Sequence, residues 1–318
     1  MIGVSGEMAA KICITGAGGR LGRYVVPAIE DLGALVLVDR HPVPGDDRFR
    51  GSDILDLPGL RRALDGVDTV VHLAAIDASV AASDEAILET NLVGTWNVLH
   101  AAAERGVRRV IVCSSSAAFG LDRPEPHLAP CYFPIDERHP LCPSSTYSLS
   151  KALCEQTAEA VARRVGMDII CLRPTYVMFP DIVASVASRL AGSSVVPGRS
   201  VAADPIPRRE EAPPMLGSYV RPEDVAQAVR LALSRSRWGF QRILLCADDS
   251  FHAMPTLALV EGLYGFRPEI WKPWIFERDP QASVYDNAAA NEILGWRPTG
   301  RWAELVGGVP GLPQPTDG

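Results

Sequence analysis

The sequence predicts an α/β fold: a doubly wound parallel sheet with helices on both faces, and a smaller C-terminal α/β region. Two observations carry this prediction. Over the first 175 residues, short apolar runs alternate with helical patterns, which is typical of βαβ units and a sheet buried on both faces. Hydrophobic residues make up 47% and charged residues 22% of the 318 residues, which are ordinary values for a globular protein.

The predicted elements follow one another in regular order. The apolar runs predict strands at 11–15, 34–39, 68–75, 107–115 and 168–174. Helical patterns lie between them, near 20–32, 57–65, 84–105 and 146–166. Beyond residue 175 the pattern loosens, and it predicts a loop at 204–214, a helix from Pro222, a strand at 242–247 and a frayed tail at 311–318.

A glycine-rich turn follows the first predicted strand. In KICITGAGGRLG, Gly16 suits a tight turn, Gly19 lets the backbone approach a pyrophosphate, and Gly22 allows the helix to pack on the strand. The start of that helix offers unpaired N–H groups to a phosphate. Asp39 ends the second strand, seventeen residues after Gly22, where a carboxylate accepts hydrogen bonds from an adenosine ribose. This pattern predicts a Rossmann NAD site. NADP is disfavoured by Asp39, although the adjacent Arg40 weakens that preference.

The same site sets the predicted domain organisation. Residues 9–175 form an NAD-binding Rossmann domain, to which 218–247 returns, and residues 176–318 form a substrate-binding region. Asp53 and Ile54 lie in GSDILD (51–56), which follows one further predicted strand, the third in chain order, and they are candidates to border the adenine.

A tyrosine and a lysine lie four residues apart in STYSLSK. On a helix these positions share a face, so Tyr147 and Lys151 present a phenol and an ammonium together. The chain has three lysines and seven tyrosines, so chance gives only about 0.07 such spacings. The serines of CSSSAAFG close the fifth strand at the sheet edge where ligands bind. A nearby ammonium and a positive nicotinamide lower the pKa of a tyrosine, ordinarily about 10, toward the working pH.

With these motifs the sequence resembles the extended short-chain dehydrogenases/reductases, also called the NAD-dependent epimerase/dehydratase family. The resemblance spans nearly the whole chain, through TGAGGRLG (15–22), Asp39, HLAA (72–75), NLVGTWNVLHAA (91–102), SSSAAFG (114–120), YSLSK (147–151), LRPT (172–175), YVRPEDVAQAV (219–229) and NAAANEILGWRP (287–298). It implies that Tyr147 is the catalytic acid/base and that Lys151 binds the nicotinamide ribose and lowers the tyrosine pKa.

The resemblance also assigns the remaining site residues. It implies that Ser115 hydrogen-bonds the reacting oxygen, with Ser114 and Ser116 as alternatives in register, and that Asn91 braces the site. Besides the residues already named, those implied to contact the cofactor are Arg20, Leu21, Leu73, Ala74, Ala75, Pro174 and Thr175, and Tyr147, Lys151 and Asn91 also belong to that set.

The sequence departs from the family pattern at informative positions. Ser116 and Ala117 stand where dehydratases carry an acidic pair, which disfavours elimination of water. Tyr176 and Gly217 stand where nucleotide-sugar enzymes carry an asparagine and an arginine that contact a diphosphate. Each missing charge-assisted bond is worth about 1.5–3 kcal/mol, so a nucleotide diphosphate is disfavoured.

We therefore predict hydride transfer between nicotinamide C4 and a carbinol or carbonyl carbon of a sugar, sugar acid or similar polyol. Two alternatives stay open. One is a nucleotide-sugar epimerase in which Arg199 or Arg221 contacts the diphosphate, and the other is a non-catalytic NAD-sensing regulator, which the presence of Tyr147 and Lys151 disfavours.

Composition narrows the partners. A net charge of −7 and a pI near 5.4 disfavour nucleic acid. The histidines show no ligand spacing, which predicts no metal site, and no apolar run reaches membrane-spanning length. Seven cysteines without a Cys-x-x-Cys spacing indicate a reduced, cytoplasmic protein. The resemblance implies a homodimer with a four-helix contact that includes the helix bearing Tyr147.

Overall fold

In the computed structural model of the chain, the described residues are 10–121, 126–192, 212–235, 237, 239–252 and 254–307. The predicted tail at 311–318, most of the predicted loop at 204–214 and the candidate Arg199 lie outside these residues.

Strands and helices alternate through the first half of the chain, as predicted. The strands are β1 (Lys11–Thr15), β2 (Ala34–Asp39), β3 (Phe49–Gly51), β4 (Thr69–His72), β5 (Arg109–Cys113), β6 (Tyr132–Phe133), β7 (Asp168–Pro174), β8 (Tyr176–Val177), β9 (Tyr219–Val220), β10 (Phe240–Leu245) and β11 (Glu269–Ile270). The helices are α1 (Gly22–Ile29), α2 (Leu57–Ala63), α3 (Asp84–Leu88), α4 (Gly94–Glu104), α5 (Thr146–Val165), α6 (Pro180–Gly192), α7 (Pro222–Leu233), α8 (Thr256–Tyr264), α9 (Pro273–Arg278) and α10 (Trp302–Gly307).

The main sheet has seven strands in the order β10-β7-β5-β4-β1-β2-β3. From β1 the chain builds outward through β2 and β3, and then returns to the other side of β1 with β4 and β5. The pairs β1/β2, β1/β4, β2/β3 and β4/β5 are parallel. The side chains of Cys13, Val70 and Ile111 in the central strands are fully buried, because helices cover both faces. The predicted doubly wound fold is confirmed.

The chain divides into two compact units. Among the described residues, unit 1 holds those up to Cys113, Leu153–Cys171 and Val229–Gln241, and unit 2 holds Ser114–Ala152, Leu172–Ala228 and those from Arg242 onward. The core of unit 1 joins β1, β2, β4 and β5 to apolar side chains of α2, α4 and α5. Unit 2 has a core that includes Phe119, Phe133, Leu244 and Leu263. The predicted assignment of 9–175 to NAD and of 176–318 to substrate stays a prediction.

The predicted helix at 84–105 contains an irregularity. Ser83 caps it by accepting a hydrogen bond from the N–H of Ala86 (3.2 Å). The α-helical pattern then gives way to a π-helical segment at Glu89–Val93 before α4 begins at Gly94. Such segments insert an extra residue into a helix and are frequent at functional sites.

Candidate active site

The glycine loop in unit 1 leaves no room for side chains at two of its predicted positions. Gly16 has a left-handed φ of +72°, and a Cβ on it would lie 2.6 Å from the backbone nitrogen of Ala74. A Cβ on Gly22 would lie 2.3 Å from the carbonyl oxygen of Ala17. Contacts this short do not occur, so only glycine lets the loop pass so close to the chain after β4 and lets α1 begin where it does.

Asp39 is held against this loop. One carboxylate oxygen accepts a hydrogen bond from the N–H of Gly18 (3.0 Å), and the other accepts from the N–H of His41 (3.0 Å). Sequence reasoning did not single out Gly18, although the run GAGG was a signal. A Cβ at this position would approach the Asp39 carboxylate carbon to 3.3 Å, so a glycine suits the close contact with Asp39. The carboxylate is therefore oriented before any ribose binds.

The segment after β4 contains Leu73, Ala74 and Ala75, and it is fixed from two sides. The N–H of Leu73 donates to the carbonyl of Thr15 (3.0 Å). Asn91 lies in the π-helical segment, and its side-chain amide pairs with both the N–H (2.8 Å) and the carbonyl (3.0 Å) of Ile76. This two-point contact gives a physical basis for the bracing role expected of Asn91.

A buried polar chain that the sequence did not reveal lies beneath the loop. The ring nitrogens of His72 lie 2.7 Å from the hydroxyl of Thr15 and 2.9 Å from the hydroxyl of Thr95. The three side chains are all nearly inaccessible to solvent. They tie β1 to β4 and to helix α4 with hydrogen bonds that water does not compete for.

Asp53 and Ile54, the candidates for the adenine side of the site, follow strand β3. Asp53 accepts a hydrogen bond from the N–H of Leu55 (2.9 Å), and its carboxylate lies 3.9 Å from the guanidinium of the exposed Arg40. Ile54 is buried, and its side chain occupies the space where a Cβ of Gly94 would lie. Arg20 is exposed, and Leu21 immediately precedes helix α1.

In unit 2, Tyr147 and Lys151 lie on the first turns of helix α5. The Lys151 Nζ lies 5.7 Å from the centroid of the Tyr147 ring. Lys151 is buried, and the half-buried Tyr147 packs against the apolar cluster that contains Ala117 and Phe119. The helical register that the sequence predicted therefore does bring the phenol and the ammonium side by side.

The serines after β5 differ in what their hydroxyls do. Ser115 is buried, and its Oγ accepts a hydrogen bond from the N–H of Ala117 (3.1 Å), which caps a short 3₁₀ turn. Ser116 is fully buried, and its hydroxyl donates to the Met215 sulfur (3.5 Å). The N–H of Ser114 donates to the carbonyl of Leu172 (2.8 Å).

Pro174 ends β7, and Thr175 follows it. The N–H and the hydroxyl of Thr175 both donate to the carbonyl of Leu245, at 3.0 and 3.2 Å. Thr175 is buried, so its position at the end of the strand is fixed. The predicted site residues thus fall into two sets. Unit 1 contains Gly16, Gly19, Gly22, Asp39 and Asn91, and unit 2 contains Ser115, Tyr147, Lys151, Pro174 and Thr175.

The described part of the chain contains no group of three or more histidine, cysteine or acidic side chains that could hold a metal ion. Within the same residues, no helix has the length and apolar character that crossing a bilayer requires.

The model of the NAD dependent epimerase/dehydratase family matches residues 12–199, more than half of the chain. The chain belongs to this family. Membership confirms the predictions of an extended short-chain dehydrogenase/reductase, of an NAD-dependent enzyme and of NAD as its cofactor.

Individual relatives show how broad the family is. The enzyme is 30% identical over 302 residues to cinnamoyl-CoA reductase 1 of Petunia hybrida, covering 85% of this chain and 80% of that protein. It is 28% identical over 168 residues to uronate dehydrogenase of Pseudomonas syringae pv. tomato, covering 51% of this chain and 58% of that one. The structure of MoeE5 in complex with UDP-glucose and NAD is similar in fold, with a TM-score of 0.66 and 24% identity over 93% of this chain and 96% of that chain.

Proposed function

We propose that the protein is an NAD-dependent oxidoreductase that interconverts a carbinol and a carbonyl in a sugar, sugar acid or similar polyol, with Tyr147 as the acid/base. The observation that carries this proposal is the burial of the Lys151 ammonium beside the Tyr147 ring, 5.7 Å from its centroid, in a member of an NAD-dependent family.

Tyr147 and Lys151 have different roles in the proposed proton transfer. In the oxidative direction Tyr147, as phenolate, takes the proton from the substrate hydroxyl, while the C–H bond breaks and the C=O bond forms. Lys151 stabilises the phenolate, since an opposite charge in a buried setting favours the charged form of its neighbour. Bound NAD supplies the hydride acceptor at nicotinamide C4.

Ser115 is the serine best suited to orient the substrate oxygen. Its Oγ already accepts a hydrogen bond from Ala117, which leaves the hydroxyl hydrogen to be donated. Ser116 directs its hydroxyl at the Met215 sulfur instead. This difference supports the register in which Ser115, rather than Ser116, hydrogen-bonds the reacting oxygen.

The glycine loop fits the cofactor, because Gly16 and Gly22 let the loop and the start of α1 pack against neighbouring backbone more closely than any Cβ would allow. We propose that Gly16, Gly19, Arg20, Leu21 and Gly22 hold the pyrophosphate and that Asp39 holds the adenosine ribose. The remaining contacts are proposed for Arg40, Asp53, Ile54, Leu73, Ala74, Ala75, Asn91, Tyr147, Lys151, Pro174 and Thr175.

One observation supports a substrate without a diphosphate. At position 217, where nucleotide-sugar relatives carry arginine, a Cβ would lie 2.3 Å from the ring of His252. A side chain at this position would be strained by the φ of +78° and would have to displace the His252 ring, so the surroundings of Gly217 disfavour the arginine that contacts a diphosphate. Tyr176, at the asparagine position, instead packs its ring 6.4 Å from that of Phe251.

A substrate panel tests the proposal and its alternatives. The protein is incubated with NAD and D-galacturonate or D-glucuronate, with NADH and cinnamoyl-CoA, and with NAD and UDP-glucose, while absorbance of the reduced nicotinamide is followed. Net reduction of NAD with a uronate supports the proposal. Isomer formation from UDP-glucose without net reduction indicates the epimerase, and tight NAD binding without chemistry across a wide panel of polyols indicates the regulator.

Tyr147→Phe then tests the catalytic role. The variant keeps the ring and loses the hydroxyl, so we expect kcat to fall by at least about 100-fold while NAD affinity measured by calorimetry stays the same. Tyr264→Phe, on helix α8, is the matched control and should retain turnover. A Tyr147→Phe enzyme that kept most of its kcat would show that another group moves the proton.

We also propose that the enzyme is a homodimer, as the family resemblance implies, and that it is cytoplasmic, as its cysteine usage indicates. In support of the dimer, apolar side chains at the start of α4 and at the end of α5 are exposed: Val93 by 45%, Trp96 by 38% and Val165 by 46%. The Arg164 guanidinium lies 5.4 Å from the centroid of the Trp96 ring, so the end of α5 lies next to α4. Exposed apolar side chains that lie near one another are typical of a protein interface.

A further inference from the structure

A left-handed turn in unit 2 has an unusual backbone. Met215, Leu216 and Gly217 all have positive φ, at 54°, 54° and 78°. Residues other than glycine adopt this region rarely and usually singly, because their Cβ crowds the following carbonyl. Strained conformations of this kind persist only where surrounding contacts enforce them, and they concentrate at functional sites.

The surrounding contacts come mainly from the segment at 250–252. The N–H of Phe251 donates to the carbonyl of Gly217 (2.9 Å). The His252 ring lies against Gly217, with its Cδ2 in the space that a Cβ would occupy. His252 is 91% buried. Its ring nitrogens have no well-formed hydrogen bond, although the main chain at Leu216, within the turn, and at Met254 lies close enough to influence the imidazole. The close fit of the ring against Gly217 is therefore the main contact through which His252 acts on the turn.

On its other side the turn reaches the serines that follow β5. The Met215 sulfur accepts hydrogen bonds from the Ser116 hydroxyl (3.5 Å) and from the Tyr285 hydroxyl (3.8 Å). Met215 also belongs to the apolar cluster against which Tyr147 packs. One continuous set of contacts thus runs from His252 through the turn to Ser116, the neighbour of Ser115.

We propose that His252 is a positioning residue, which holds the Met215–Gly217 turn in its left-handed form and thereby sets the orientation of the Ser115–Ser116 segment for catalysis. This inference rests on the proposed function, in which Ser115 binds the reacting oxygen. It deepens that function by assigning a role to a buried histidine outside the proposed catalytic and cofactor-binding residues.

Kinetics on the sugar, sugar acid or polyol that the enzyme oxidises fastest test this proposal. His252→Ala removes the support, so we expect kcat to fall by about tenfold or more, since small misplacements of a reacting group are costly. NAD affinity should stay the same, because neither His252 nor the Met215–Gly217 turn is among the residues proposed to hold the cofactor. His252→Phe keeps a planar ring without nitrogens and should restore most of kcat. Phe276→Ala opens a cavity in the same apolar cluster and serves as the control for a merely destabilising change.

Two kinetic results overturn the proposal: wild-type kcat in His252→Ala, or a His252→Phe enzyme as impaired as His252→Ala. If Phe276→Ala lowers kcat as much as His252→Ala, general destabilisation explains both, and the proposal also fails.

Gly217→Ala probes the same contact from the turn and serves if His252→Ala does not fold. Its Cβ meets the His252 ring, so the substitution should lower kcat more in the wild-type background than in the His252→Ala background. Equal effects in the two backgrounds would contradict a direct coupling.

A crystal structure of His252→Ala separates this inference from the proposed function. If no substrate gives turnover with the wild-type protein, the proposed function fails, and the crystal structure still tests the role of His252. We expect Met215 or Leu216 to leave the left-handed region in the variant. An unchanged turn would overturn the inference whatever the enzyme's activity.

Discussion

Acidification should weaken the fold through His252. Burial lowers the pKa of this imidazole to about 4, and the main chain at Met254 and Leu216 only partly opposes the shift. In the unfolded chain a histidine titrates near 6.5. Between these values the unfolded chain binds a proton that the folded protein does not, so stability is full above about pH 6.5 and falls as the pH drops toward 4.

The size of the effect follows from the same two values. One pKa unit corresponds to about 1.4 kcal/mol, so the whole window corresponds to a loss of about 3 kcal/mol. This loss is a large part of the free energy of unfolding of a typical protein, which is about 5–15 kcal/mol.

Urea unfolding followed by circular dichroism at intervals between pH 7 and 4 measures this loss. Wild type and His252→Phe are compared, since the phenylalanine fills the same space and cannot take up a proton. The free energy of unfolding should fall more steeply for wild type by up to about 1.4 kcal/mol per pH unit near pH 5. His41→Gln, at an exposed histidine, should follow wild type. Parallel curves for wild type and His252→Phe would refute the reasoning.

Two further predictions concern the cofactor and the assembly. Gly16→Ala forces a Cβ into the backbone of Ala74 at a φ of +72°, so NAD affinity in calorimetry should fall by about tenfold or more; unchanged affinity would show that the loop does not hold the cofactor. Trp96→Glu should convert a dimer to a monomer in analytical ultracentrifugation, because it places a charge in the proposed interface, whereas Trp274→Glu, at a tryptophan that is 58% exposed on α9, should leave the dimer intact. A monomeric wild-type protein would contradict the proposed assembly.

The parallel sheet and the glycine loop could be predicted from the sequence because their signals are local. A strand, three spaced glycines and a helix lie within twelve residues of one another, and each glycine has its own steric reason. The pairing of Tyr147 with Lys151 was equally accessible, since helical periodicity alone sets it.

Other features depend on contacts between segments that are distant in sequence, so no local sequence pattern predicts them. The left-handed turn at Met215 follows from His252, which is far away in sequence, and a methionine–leucine pair ordinarily predicts nothing of the kind. The polar chain from Thr15 through His72 to Thr95 joins three elements, and each member alone resembles an ordinary strand or helix residue. The periodicity of residues 84–105 likewise predicted a helix but not its π-helical interruption.

That interruption makes the length of the helix matter as much as its composition. The surplus residue at Glu89–Val93 turns the Asn91 amide onto the main chain of Ile76. Deleting one residue there would let an ordinary helical turn close, and every side chain upstream would rotate by about 100° relative to α4. Substitutions at positions of this stretch other than Asn91 should thus be tolerated better than the deletion of one residue, and related chains should vary in residue type here while keeping the spacing.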